Sequence, residues 1–126
     1  MMDGYRRGWA LRYLREAKAE LGAARKMPYM ASSLVLEAVR KARNAIYYSL
    51  GEPAFVEIIV RETAEKMQGQ PITDPLLKFL VDIESMVQQL AQIEEMDGEQ
   101  AMKQADGLVN LAQEIVEALT EEKAED

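Results

Sequence analysis

Four side chains on one predicted helix offer the clearest chemistry in this chain: Arg40, Arg43, Asn44 and Tyr47. Steps of three and four residues place the other three within about 60° of Arg40 on a helical surface, opposite a face of small residues. Two guanidinium groups, an amide and a phenol in one stripe can bind a phosphate and stack on a base. The same stripe can instead pair with Glu37 or with acidic helices of the same chain. A second stripe lies upstream, where Arg12 and Arg15 share an outward face with Arg7, Lys18 and Arg25 beside it. Arg6 and Arg7 fall at a helix start, where the macrodipole disfavours cations by about a few tenths of a kcal/mol. That placement asks for a compensating anion, supplied either by the chain's own acidic helices or by a nucleic acid. Trp9, Tyr5 and Tyr13 form either a stacking platform for bases or a cluster partly buried in the bundle or in a dimer.

Other chemistries are closed by composition. The chain has no cysteine and no histidine. Disulfides, thiolate nucleophiles and thiolate zinc sites therefore fall away. So do Ser-His-Asp triads and the Glu-x-x-His pairs of di-iron bundles. The carboxylates Asp82, Glu84, Glu94, Glu95 and Asp97 show no recurring ligand spacing and read as a solvated acidic face, so no metal and no cofactor is expected. The eight methionines are scattered and read as packing filler.

The elements that carry these residues divide by charge. Residues 1–50 hold ten Lys/Arg and four Asp/Glu, a balance of +6, whereas residues 51–126 hold five and eighteen, a balance of −13. Six of the eight aromatic residues also lie in the first half. A net charge of −7 over the whole chain counts against non-specific nucleic-acid binding, which depends largely on phosphate neutralisation. At 126 residues, 48% hydrophobic and rich in helix formers, the chain reads as one domain over residues 1–126. No run of about 18 apolar residues occurs, and no secretory signal is visible, so no membrane role and a cytoplasmic setting are expected.

Apolar periodicity predicts five helices and no strand. The first spans Gly4–Lys26 behind an Asp3 N-cap, with Ala10, Leu14, Ala17, Leu21 and Ala24 on its inner face. The second runs from Tyr29 to Leu50 over Ala31, Val35, Ala38, Ala42, Ala45 and Ser49, and Gly51 stops it. Leu36, Val39 and Leu50 lie off that face and suggest a second apolar contact, with the third helix or another subunit. Pro53 opens the third helix, expected to bury Val56, Ile59, Val60, Thr63 and Met67. Thr73 or Asp74 caps the fourth, over Leu76, Leu80, Ile83, Val87 and Leu90. Asp97 with Gln100 resembles a capping box for the fifth, over Ala101, Ala105, Leu108, Ala112, Ile115 and Leu119. Residues 120–126 read as a frayed tail. The fold class is all-α: an antiparallel up-and-down bundle of four to five helices, with the last two paired as a hairpin.

Two stretches resemble the HEPN superfamily (higher eukaryotes and prokaryotes nucleotide-binding domains). One is Ala17, Glu20-Leu21, Ala24, Met27 and Tyr29. The other is Glu37-Ala38-Val39-Arg40-Lys41-Ala42-Arg43-Asn44-Ala45 on the second helix. Arg40 stands where the family often has Glu. Catalytic members resemble one another in an Arg followed, four to six residues on, by the His that cleaves RNA, and this chain has no His to supply. The resemblance therefore implies a non-catalytic relative: a bundle, often dimeric, associated with RNA, a nucleotide or a partner nucleotidyltransferase.

The expected function is binding of a partner protein, nucleotide or RNA through the first two helices, by way of Arg12, Arg15, Lys18, Arg40, Arg43, Asn44 and Tyr47, in a homodimer. The alternative is a structural or adaptor bundle that forms a homo-oligomer with no nucleic-acid role.

Overall fold

The computed structural model describes residues 3–67, 69–92 and 98–120, which form five α-helices with no strand among them. These are α1 (Gly4–Lys26), α2 (Ala31–Leu50), α3 (Pro53–Lys66), α4 (Pro75–Gln92) and α5 (Gly98–Thr120), with a short 3₁₀ turn at Pro28–Met30. The expected all-α bundle is what forms. The Asp97 capping box and the tail at 121–126 lie outside the described residues.

Local signals set the helix ends. The Asp3 carboxylate accepts from the Arg6 N–H at 2.8 Å and caps α1. Asp74, rather than Thr73, caps α4, accepting from the N–H groups of Leu76 and Leu77 at 2.9 and 3.1 Å. Pro53 and Pro75 occupy the first positions of α3 and α4, where a missing N–H costs nothing. Pro28 sits instead in the 3₁₀ turn, so α2 begins two residues later than expected. Gly69 takes φ +75 in the α3–α4 connection, where the Gln70 N–H closes a turn on the Met67 carbonyl at 2.9 Å.

Packing is centred on α2, which touches every other helix. The α1–α2 hairpin is the tightest unit. All five expected α1 core residues are buried, and they meet the Val35, Ala38, Ala42 and Ala45 face of α2. Small side chains on both helices let the backbones come close. Val39, Ile46 and Tyr47 are buried as well, so α2 is covered around most of its circumference, as a central helix must be. The buried Ser49 hydroxyl is satisfied by donating to the Ala45 carbonyl at 2.9 Å.

The other three helices depart from expectation. The closest partners of α5 are α2 and α1, and those of α4 are α3 and α2; α4 and α5 lie alongside one another at wider spacing and flank an open apolar groove. Ala101, Ala105 and Ala112 of α5 are buried, and their small side chains suit the close contact of α5 with α2. Val116 takes the core position expected of Ile115, and Leu119 is exposed. Leu76, at the start of α4, is exposed too, while Leu80, Ile83, Val87 and Leu90 are buried. On α3 only Val60 is buried. Ile59, expected inside, is 51% exposed, and Phe55 and Ile58 beside it are 67% and 46% exposed. The helix carries apolar side chains on two faces, and the single-sided contact with α2 and α4 covers one.

Candidate functional site

The stripe on α2 does not stand clear of the core. Tyr47 is buried, and its hydroxyl donates to Glu84 Oε1 of α4 at 2.9 Å. Arg43 Nη1 donates to the same oxygen at 3.1 Å, and Arg43 lies against the Tyr47 ring, 6.0 Å from its centroid. Arg43 Nε also makes a long contact with Asn44 Oδ1 at 3.4 Å. The expectation that this stripe lies opposite the core is thus corrected for Tyr47. The phenol is held inside by a half-buried carboxylate, and Arg43 neutralises that carboxylate. Burial first, and then the Glu84 charge and hydrogen bond, push the Tyr47 phenol well above its ordinary pKa. Arg40, next along the stripe, reaches Glu37 at 3.4 Å on its own helix.

The α1 stripe is met in the same manner. Arg12 lies 3.7 Å from Glu16 and also stacks over the Trp9 ring at 4.9 Å. Between the two helices Lys41 Nζ donates to Glu20 Oε1 at 2.5 Å and lies 3.8 Å from Glu16. The Glu20 hydrogen bond, ahead of the opposing cost of burial, raises the Lys41 pKa. Glu20 Oε2 is buried without a partner among the described residues. Arg25 pairs with Asp106 of α5. Arg15 is exposed; Lys18 is half-buried and has a partner of its own. The structure therefore splits the nominated set in two. Arg43 and Tyr47 gather at Glu84 between α2 and α4, with Asn44 touching Arg43, while Arg12, Arg15, Lys18 and Arg40 remain near the surface of α1 and α2.

Arg6 shows what a cation at a helix start can do. Its guanidinium donates to the carbonyls of Tyr48 and Ser49 at 3.0 and 3.3 Å, which are orphan acceptors at the C-terminus of α2. The antiparallel hairpin brings the negative end of the α2 dipole to the start of α1, and the compensating group is a pair of backbone carbonyls rather than an anion. Above this contact the rings of Trp9, Tyr13 and Tyr48 pack together with centroids 5.7–6.2 Å apart, and Tyr5 approaches Trp9 edge-on at 6.4 Å. Trp9 is partly buried in this cluster.

Sequence reasoning placed Glu84 on a solvated acidic face; Glu94, Glu95 and Asp97 of that set lie outside the described residues. The signal for Glu84 was its position four residues after the buried Leu80 and three before the buried Val87, on the edge of the inner face. Among the described residues no three acidic, histidine or cysteine side chains converge as metal ligands, and no helix is long and apolar enough to cross a membrane.

Two depressions flank α4, and the first of them borders Glu84. One, of about 340 Å³, lies between α3 and α4 and is lined by Glu57, Val60, Arg61, Ala64, Glu84 and Gln88, among others. The other is the apolar α4–α5 groove, also about 340 Å³, walled by Phe79, Ile83, Met86, Leu108 and Leu111. Comparisons with protein-family models, with curated proteins and with solved structures found no match.

Proposed function

We propose that this chain is a non-catalytic helical adaptor, HEPN-like in layout, that acts through protein–protein contact and forms a homodimer in the cytoplasm. The observation that carries this reading is the outward row Phe55, Ile58 and Ile59 on α3, three large apolar side chains left in water. A contiguous apolar row on a small helical protein is the usual mark of a partner surface. The basic stripes support the same reading from the other side. Arg12, Arg25, Arg40, Lys41 and Arg43 each have a carboxylate within salt-bridge distance, so the N-terminal positive charge is largely answered inside the chain. The absence of His and Cys from the sequence supports a non-catalytic role. A nucleotidyltransferase is the external partner that the family resemblance implies.

A second reading, RNA or nucleotide binding through α1 and α2, draws on the exposure of Arg12 and Arg15 beside the Trp9 cluster. Sedimentation velocity, run with and without a labelled oligonucleotide at near-physiological salt, separates the two. The adaptor reading predicts twice the chain mass and no comigration with the oligonucleotide. A monomer that carries the oligonucleotide, with affinity falling steeply as salt rises and on Arg12→Ala plus Arg15→Ala, overturns it in favour of the second.

A further inference from the structure

Among the described residues, one convex and one concave apolar feature stand out. The convex one is the α3 row. Phe55, Ile58 and Ile59 follow the i, i+3, i+4 spacing by which a helix anchors in a groove. Glu62, exposed, continues the row one turn further on. The concave one is the α4–α5 groove, with Phe79, Ile83, Met86, Leu108 and Leu111 on its walls and Lys103 and Asp82 on its rim. It is a shallow, open groove with a volume of about 340 Å³. Gly107 opens the α5 wall, and nothing lies within 4 Å of where a Cβ would project there.

We propose that α3 of one copy seats in the α4–α5 groove of a second copy, and that the exchange is reciprocal. This rests on the homodimer reading and gives it an interface. Length and charge both fit. At about 1.5 Å per residue, Phe55 to Glu62 spans about 10 Å along α3 and Leu111 to Lys103 about 12 Å along α5. With Phe55 set at the Leu111 and Phe79 end, Glu62 meets Lys103 at the other. One α3 alone is a small contact. The two-fold arrangement uses each knob and each groove once, doubles the buried surface and closes the assembly.

Charge-swap rescue tests the pairing. Self-association of the full chain is followed by sedimentation equilibrium for wild type, Glu62→Lys, Lys103→Glu and the double variant, all surface changes, with circular dichroism to verify the fold. Each single reversal should raise the dimer Kd at least about fivefold, and the double variant should recover it. Leu111→Glu, in the groove wall, should raise the Kd at least about tenfold. A dimer whose Kd ignores all of these changes overturns the α3–groove docking while leaving the homodimer reading in place. A wild-type monomer at high concentration overturns the homodimer reading and the docking with it.

Discussion

Glu84 is the residue at which the basic and acidic parts of the chain meet. It takes the Tyr47 hydroxyl and the Arg43 guanidinium on one oxygen, and all three groups are at least half-buried. Replacing it with alanine leaves a buried phenol and an enclosed guanidinium unanswered, and urea unfolding should register a loss of about 2–3 kcal/mol. Tyr47→Phe removes one charge-assisted bond and should cost about 1–2 kcal/mol. The pH dependence has a definite sign. The folded Tyr47 pKa lies above its ordinary value of 10.0, so its contribution is complete below that value and is lost as pH rises toward the folded value. Lys41, raised from 10.5 chiefly by its bond to Glu20, acts in the same direction. The urea midpoint should therefore fall above about pH 10, and Tyr47→Phe should make that fall shallower. Pairing of the stripe with Glu37 or an acidic helix was legible in the sequence, and Arg40 with Glu37 and Arg43 with Glu84 are such pairs; the burial of Tyr47 against Glu84 was not. The arginine stripe was visible at its correct helical phase, but Tyr47 belongs equally to the edge of the core. Only the placement of α4 decides which surface it serves.

At the scale of elements, the α1–α2 hairpin was the most readable part. The Asp3 cap and both inner faces follow from local spacing, because the two helices are neighbours in sequence; the 3₁₀ turn at Pro28–Met30 does not. The Arg6 contact with the end of α2 belongs to this hairpin, and Arg6→Ala should cost about 1 kcal/mol in urea unfolding by uncovering the Tyr48 and Ser49 carbonyls. The alanine seam is equally specific. Ala42→Leu forces bulk between backbones that approach closely and should cost about 1–3 kcal/mol. The α3 and α5 placements were not readable, for a shared reason. The α3 sequence offers two apolar faces, and periodicity alone does not rank Val60 against Ile59. On α5, Ile115 and Val116 are adjacent and both apolar, and the α2 surface selects Val116. In both helices a tertiary partner chose among local patterns of equal quality.

The whole molecule turns its charge inward and part of its apolar surface outward. Cations of α1 and α2 meet carboxylates within the hairpin and on α4 and α5, which is why a split of +6 and −13 along the sequence does not become two opposed faces. The α3 row and the α4–α5 groove are instead apolar surface without an internal partner, and they are where a second copy would dock. The most direct test is the molar mass of the full chain in solution by multi-angle light scattering, with Phe55→Glu plus Ile59→Glu as the matched variant. A dimer gives twice the 14.2 kDa chain mass for the wild type, reverting to a single chain of unchanged helicity for the variant. A wild type that stays at 14.2 kDa as concentration rises would contradict it.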